Sequence, residues 1–148
     1  MRARGEPLAW LGLVLSLVGI AISAYLTAAH YTGAPLACVT TGVIDCGAVT
    51  SSSFSLIPGT TVPIAALGVL WFAAMAALFA IAGFAAEPAT LAVVQLAFAT
   101  AALLGVLYLV HAEIVVINRV CEWCTLVHVI VLAIFFITLR RWQTSVEV

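Results

Sequence analysis

Lysine is missing altogether, and charge of either sign is scarce: five arginines and six carboxylates serve 148 residues. With 7% of its residues charged and 66% hydrophobic, the chain cannot clothe a water-exposed surface. No basic patch, Gly-rich phosphate loop or internal repeat is present, which excludes nucleic acid as a partner and a phosphate-cradling turn as a site. What the chain does have is apolar runs of about twenty residues or more, the length that crosses a hydrocarbon core. Its first partner is therefore a lipid bilayer, and a net charge of −1 says little about any other.

Four such runs are present. The first, from about 8 to 29, follows Pro7 and is broken only by Ser16, Ser23, Tyr25 and Thr27. Thr27-Ala28-Ala29 resembles the end of a cleaved leader. The run is too long for a signal core, however, and the chain beyond it is equally apolar, so it reads as a retained span. Pro63 opens the second run, about 64–86, and Pro88 the third, about 89–117. Proline is tolerated in a first helical turn, where its missing N–H is not needed. The fourth run, about 120–140, follows Asn118 and Arg119 and ends at Arg140 and Arg141. The expected fold is an all-α integral membrane bundle of four transmembrane helices, a single domain over 1–148, with a long extracytoplasmic loop over about 30–62.

Orientation follows from arginine. An even number of spans puts both termini on one side, together with Arg2, Arg4, Arg140 and Arg141, while Arg119 stands alone opposite. The positive-inside rule then makes both termini cytoplasmic. Cys38, Cys46, Cys121 and Cys124 all fall on or near the outer, oxidising side.

The chemistry concentrates in Cys121-Glu122-Trp123-Cys124. A CxxC pair opens and closes a disulfide as a two-electron device when no metal occupies it. His128 lies four residues beyond Cys124, so all three side chains share one helical face. A dithiol and an imidazole on an otherwise apolar helix suit a lipid-soluble electron carrier. If Asn118 caps this helix, Cys121 occupies its first turn, where the helix dipole and Arg119 favour a thiolate. Cys124 lies one turn deeper, towards the carrier.

The outer loop carries the other pair, Cys38 and Cys46, with seven residues between them. That gap is too wide for a zinc knuckle, and a bridge between them is easy if the loop folds back. Apolar Leu36, Val39, Val43, Ile44, Val49 and Phe54 are scattered among its serines and threonines, as in a cap lying on the membrane surface. The bland alternatives are a Cys₄ zinc site and two static disulfides. A bridge inside a CxxC turn constrains little chain, and zinc needs four converging thiolates, so a redox relay with no metal is the preferred reading. His111 and Glu113 sit two residues apart and point to different helical faces, which disfavours a joint ligand set. Tyr108 shares a face with His111 and is placed in the same pocket. His30 marks a membrane boundary, and Trp123 is a lid or spacer within the CxxC.

Taken together, four short spans, a long first outer loop with two separated cysteines and a later CxxC at the fourth helix resemble the vitamin K epoxide reductase family over nearly the whole chain. Ser52, six residues after Cys46, and His128, four after Cys124, extend the resemblance. The related DsbB family places its CxxC before the separated pair. The resemblance implies that Cys38 exchanges with a partner, that Cys46 passes electrons to Cys121, and that Cys124 stands next to a membrane quinone. Ser52 and His128 would be pocket contacts, and the quinone a menaquinone, a ubiquinone or a related vitamin K-type quinone. The partner would be a separate thioredoxin-like or DsbA-like protein, since the chain stops soon after Arg141. Ile64 and His128 stand where vertebrate members carry asparagine and tyrosine, so quinone reduction is implied more strongly than epoxide reduction. A bacterial inner membrane suits a chain without a lysine-based retention tail.

Overall fold

The computed structural model describes residues 6–84 and 89–146. Arg2, Arg4 and Pro88 lie outside them. Four long helices dominate: α1 (Glu6–Thr32), α3 (Ile64–Phe84), α4 (Ala89–His111) and α5 (Glu122–Val146). The short α2 (Cys46–Thr50) and a 3₁₀ turn (Ser53–Ser55) lie in the loop between α1 and α3, and a π-helical stretch (Ala112–Ile117) continues α4. In hydrocarbon each backbone N–H and C=O must be satisfied within the protein, which a helix does for itself. All four long helices have the length and apolar composition of membrane spans.

The distribution of side chains confirms what surrounds the bundle. Leu11, Val14, Leu17, Leu70, Leu104, Leu107 and Val129 are exposed, while Ser16, Ser23, Gln95, His128, Thr138 and Arg141 are buried. A protein in water would do the reverse. In lipid, large apolar residues face the solvent and polar ones bind inside. Ser16 donates to the Gly12 carbonyl at 2.7 Å, and Gln95 donates across from α4 to the Leu78 carbonyl of α3 at 3.0 Å. Trp71 Nε1 adds a second link between these helices, to the Phe98 carbonyl at 3.2 Å.

Helix α1 packs against α3 and α5, and α4 packs against α5. The α1–α3 seam depends on two glycines a heptad apart. A Cβ at Gly12 or Gly19 would drive into the rings of Phe79 and Phe72, themselves a heptad apart on α3. Both rings are almost fully buried, with Met75 between them. Gly19→Leu is therefore expected to destabilise the bundle by at least about 1–3 kcal/mol, the usual cost of overpacking. Unfolding in detergent checks this against Gly105→Leu, a helical position whose Cβ meets nothing within 4 Å.

The loop between α1 and α3 is folded. Gly33, at φ +67°, ends α1 in the left-handed conformation that glycine adopts without steric cost. Asp45 caps α2 by accepting from the Ala48 N–H at 2.9 Å. Ile44 pairs in parallel with Val120, through Val120 N–H to the Val43 carbonyl at 3.0 Å and Asp45 N–H to the Val120 carbonyl at 3.1 Å. This pairing sets Cys46 beside Cys121, each one or two residues beyond the bridge.

Candidate functional site: two cysteine pairs above an apolar cavity

Cys38 and Cys46 are joined by a disulfide, with their Cα atoms 6.2 Å apart. Cys121 and Cys124 are free thiols. All four belong to one cluster in which Cys46, Val49 and Cys121 are buried and Leu36, Cys38, Ile117, Trp123 and Cys124 pack around them. Cys38 is half-buried and is flanked by Val39, which is 65% exposed, whereas its disulfide partner Cys46 is buried.

The two residues between Cys121 and Cys124 grip the loop on both sides of Cys38. Trp123 Nε1 donates to the Ala37 carbonyl at 2.7 Å, and the Glu122 carboxylate accepts from the Val39 N–H at 3.3 Å. Tyr25 of α1 accepts from the Ala37 N–H at 2.9 Å and stacks edge-on against Trp123, with centroids 5.2 Å apart. Trp123 is thus a clamp on the outer disulfide segment, a more specific role than a lid or spacer. The ligand atoms of Cys38, Cys46 and Glu122 lie within 4.8 Å of one another. The two sulfurs there are bonded to each other, so a thiolate site for zinc would first require that bond to be reduced.

Helix α5 starts at Glu122, one residue after Cys121, and this alters the expected capping. Asn118, at φ 54°, closes the preceding π-helical stretch in a left-handed conformation instead of opening α5. Cys121 itself takes the capping position: its Sγ accepts from the Cys124 N–H at 3.2 Å, and its carbonyl accepts from the Thr125 N–H at 2.9 Å. The Arg119 guanidinium turns to the Asn118 carbonyl at 2.8 Å. What holds the Cys121 thiol below the ordinary thiol range is chiefly the hydrogen bond from the Cys124 thiol, against burial, which pushes it up. A thiol with a lowered pKa keeps its reactive thiolate down to lower pH. The inner pair of the reduced protein is therefore expected to react with a small methanethiosulfonate with a pH midpoint below that of an ordinary thiol. Cys124→Ala removes the donor and should move that midpoint upward. Reaction rate against pH, with the modified residue located by mass spectrometry, checks both.

Below the cysteines lies a cavity of about 410 Å³, within the size range of small-molecule sites. Cys124 and His128 line it from α5, Ser52 and Phe54 from the loop, and Ser23 from α1. Ile64 and Trp71 contribute from α3 and Gly105 from α4. The shared helical face thus divides its labour: Cys121 meets Cys46 in the cluster above, while Cys124 and His128 face the cavity. Among the described residues the His128 ring has no hydrogen-bond partner, which leaves its nitrogens available to a ligand. Ser52 donates to the Val49 carbonyl at 2.7 Å and keeps its oxygen as an acceptor on the cavity wall.

Tyr108 and His111 are not part of this cavity. Tyr108 is 56% exposed and lies against Phe54 in a smaller neighbouring depression, and His111 is exposed. Glu113 is the residue that sequence spacing undervalued. It is 6% exposed and lines the cavity with Cys124 and His128. The reason is local geometry: residues 112–117 are π-helical, so the α-helical wheel does not place them.

These features define a four-helix integral membrane protein with an outer disulfide, an inner dithiol and an apolar cavity at one end of the bundle. The chain belongs to the vitamin K epoxide reductase family, whose profile matches residues 10–139. Comparison with curated proteins finds no match. Members of the family are in general thiol oxidoreductases that reduce quinones.

Proposed function

We propose that this protein reoxidises a thioredoxin-like or DsbA-like thiol partner outside the cytoplasm and passes the electrons through its two cysteine pairs to a membrane quinone, supporting disulfide-bond formation. The observation that carries this reading is the sequence of burial along the four sulfurs. Cys38 is half-buried beside the exposed Val39, Cys46 and Cys121 are buried in one cluster, and Cys124 lines the cavity. A reduced partner attacks the Cys38–Cys46 disulfide at Cys38 and leaves oxidised. The Cys46 thiolate then attacks Cys121 of the oxidised inner pair, freeing Cys124. Cys38 resolves the Cys46–Cys121 bond, which restores the outer disulfide and leaves Cys121 and Cys124 reduced. That is the redox state in which the four sulfurs stand here.

A quinone supplies the final acceptor of two electrons and two protons. The Cys124 sulfur would face it, the His128 ring would donate to a carbonyl oxygen, and Ser52 would stand on the opposite wall. The remaining lining is mostly apolar, with Ser23, His30, Thr50, Ser55 and Glu113 as its other polar members. Ile64, where vertebrate members have asparagine, offers no hydrogen bond, which favours quinone reduction over epoxide reduction. Arg140 and Arg141 lie at the end of the bundle away from the cysteines, which supports a cytoplasmic C-terminus. The reading is tested by single-turnover quinone reduction with purified protein, using a reduced thioredoxin-like donor and, separately, a small dithiol. Failure of the wild type with both donors overturns it and advances the zinc or static-disulfide readings, which metal analysis and thiol counting would then separate.

A further inference from the structure

Glu113 is buried, lines the cavity, and has no place in the thiol relay just described. The titratable groups on the cavity wall are His30 at the end of α1, Glu113 on the π-helical stretch, and Cys124 and His128 on α5. The chain has no lysine, and among the described residues no arginine lines the cavity and Glu113 is the carboxyl that does. The backbone N–H of Cys121 faces the Glu113 carboxyl. The carboxyl is also close enough to act electrostatically on both Cys121 and Cys124. Glu113 therefore lines the cavity close to both cysteines of the inner dithiol. Holding it there is the irregular turn Ala112–Ile117, closed by Asn118 at φ 54° and by the Arg119 N–H donating to the Glu113 carbonyl at 3.1 Å.

Resting on the quinone-reductase reading, we infer that Glu113 is the proton carrier of the last step: its carboxyl delivers one proton into the cavity and recovers one from the Cys121 thiol. The balance requires such a group. A dithiol and a quinone give a disulfide and a hydroquinone, so two electrons and two protons leave sulfur as the Cys121–Cys124 bond forms. The Cys124 proton is released at the cavity wall. The Cys121 proton is not, because Cys121 is fully buried in the cluster with Cys46. Glu113 gives up its own proton to an acceptor oxygen in the cavity and takes the Cys121 proton as that sulfur bonds to Cys124. It ends each turnover protonated, as it began. General acid catalysis of this kind contributes on the order of 10²–10⁴-fold.

The test uses Glu113→Gln, which keeps the size of the side chain and an oxygen facing the Cys121 N–H, with Glu113→Asp as the conservative variant. The first readout needs no quinone. Because the carboxyl is protonated in both states while the Cys121–Cys124 bond forms beside it, infrared difference spectra between the oxidised and dithiol-reduced inner pair should contain a shifted, two-signed protonated-carboxyl band that Glu113→Gln abolishes. The second is single-turnover quinone reduction at saturating quinone. Glu113→Gln should slow it by about 10²-fold or more, a loss read in the rate at saturating quinone, with thiol–disulfide exchange between the partner and the Cys38–Cys46 pair unaffected. Glu113→Asp should recover part of the rate. No carboxyl band assignable to Glu113, or a Glu113→Gln protein as fast as wild type, overturns the inference. Wild-type protein that reduces no quinone overturns instead the assignment of the cavity, and the infrared band then decides separately whether Glu113 exchanges a proton with the inner pair.

Discussion

Cys124→Ala is expected to reduce quinone reduction to the uncatalysed background, a loss on the order of 10³-fold or more, because it removes the sulfur that faces the acceptor. The loss should be the same with a protein donor and with a small dithiol, since both routes end at the Cys121–Cys124 pair. Cys124 lines the cavity, and its backbone N–H donates to Cys121 Sγ at 3.2 Å. The main chain makes that hydrogen bond, so alanine keeps the cap of α5 and the fold. Without Cys124, Cys121 has no partner with which to close a disulfide. In the variant the Cys121 thiolate can still displace Cys38 from the Cys38–Cys46 disulfide, so a Cys46–Cys121 bond with a free Cys38 thiol should be found instead. Stopped-flow absorbance of the quinone and non-reducing mass mapping of the sulfurs measure the two effects. Substantial quinone reduction by Cys124→Ala would remove the inner pair from the pathway.

Cys38→Ala should divide the two donors. The protein donor needs the accessible sulfur of Cys38, so turnover with it should fall by a comparable factor. A small dithiol can reach the inner pair directly, and turnover with it should largely survive. The division follows from exposure: Cys38 is half-buried beside the exposed Val39, whereas Cys46 is 1% exposed. A folded partner can present its thiol to the first and not to the second. Loss with both donors would mean that the loop disulfide supports the cavity structurally. No loss with either would mean that the partner addresses the inner pair itself. The clamp from Glu122 and Trp123 to residues 37 and 39 bears on the same step. Loosening it should alter turnover with the protein donor and spare that with the small dithiol.

Much of this molecule can be read from its sequence, and what can be read is local or covalent. A run of about twenty apolar residues has one outcome in a bilayer, because hydrocarbon offers the backbone no other hydrogen-bond partner. Four such runs therefore imply four helices. The CxxC declares its own chemistry through spacing, and the distance from Cys124 to His128 is one helical turn wherever the helix lies.

The rest depends on contacts between distant segments or on departures from regular geometry. The α-helical wheel separates Glu113 from His111 without assigning it a site, and puts Tyr108 with His111 in a pocket. One π-helical stretch buries Glu113 against the cavity, and both Tyr108 and His111 remain exposed. Asn118 looks like a helix-starting cap, yet its left-handed backbone ends the preceding turn and leaves the cap of α5 to a cysteine sulfur. The pairing of Ile44 with Val120 joins positions 76 residues apart, and with it the meeting of Cys46 and Cys121. The seating of Gly12 and Gly19 under two phenylalanine rings likewise has no signature in spacing along one chain segment. By itself, then, the sequence determined the number of spans and the family. Only the tertiary structure decided which side chains share the cavity, because that depends on how helices of nearly uniform apolarity are rotated against one another. The few polar side chains and glycines at their seams set that rotation.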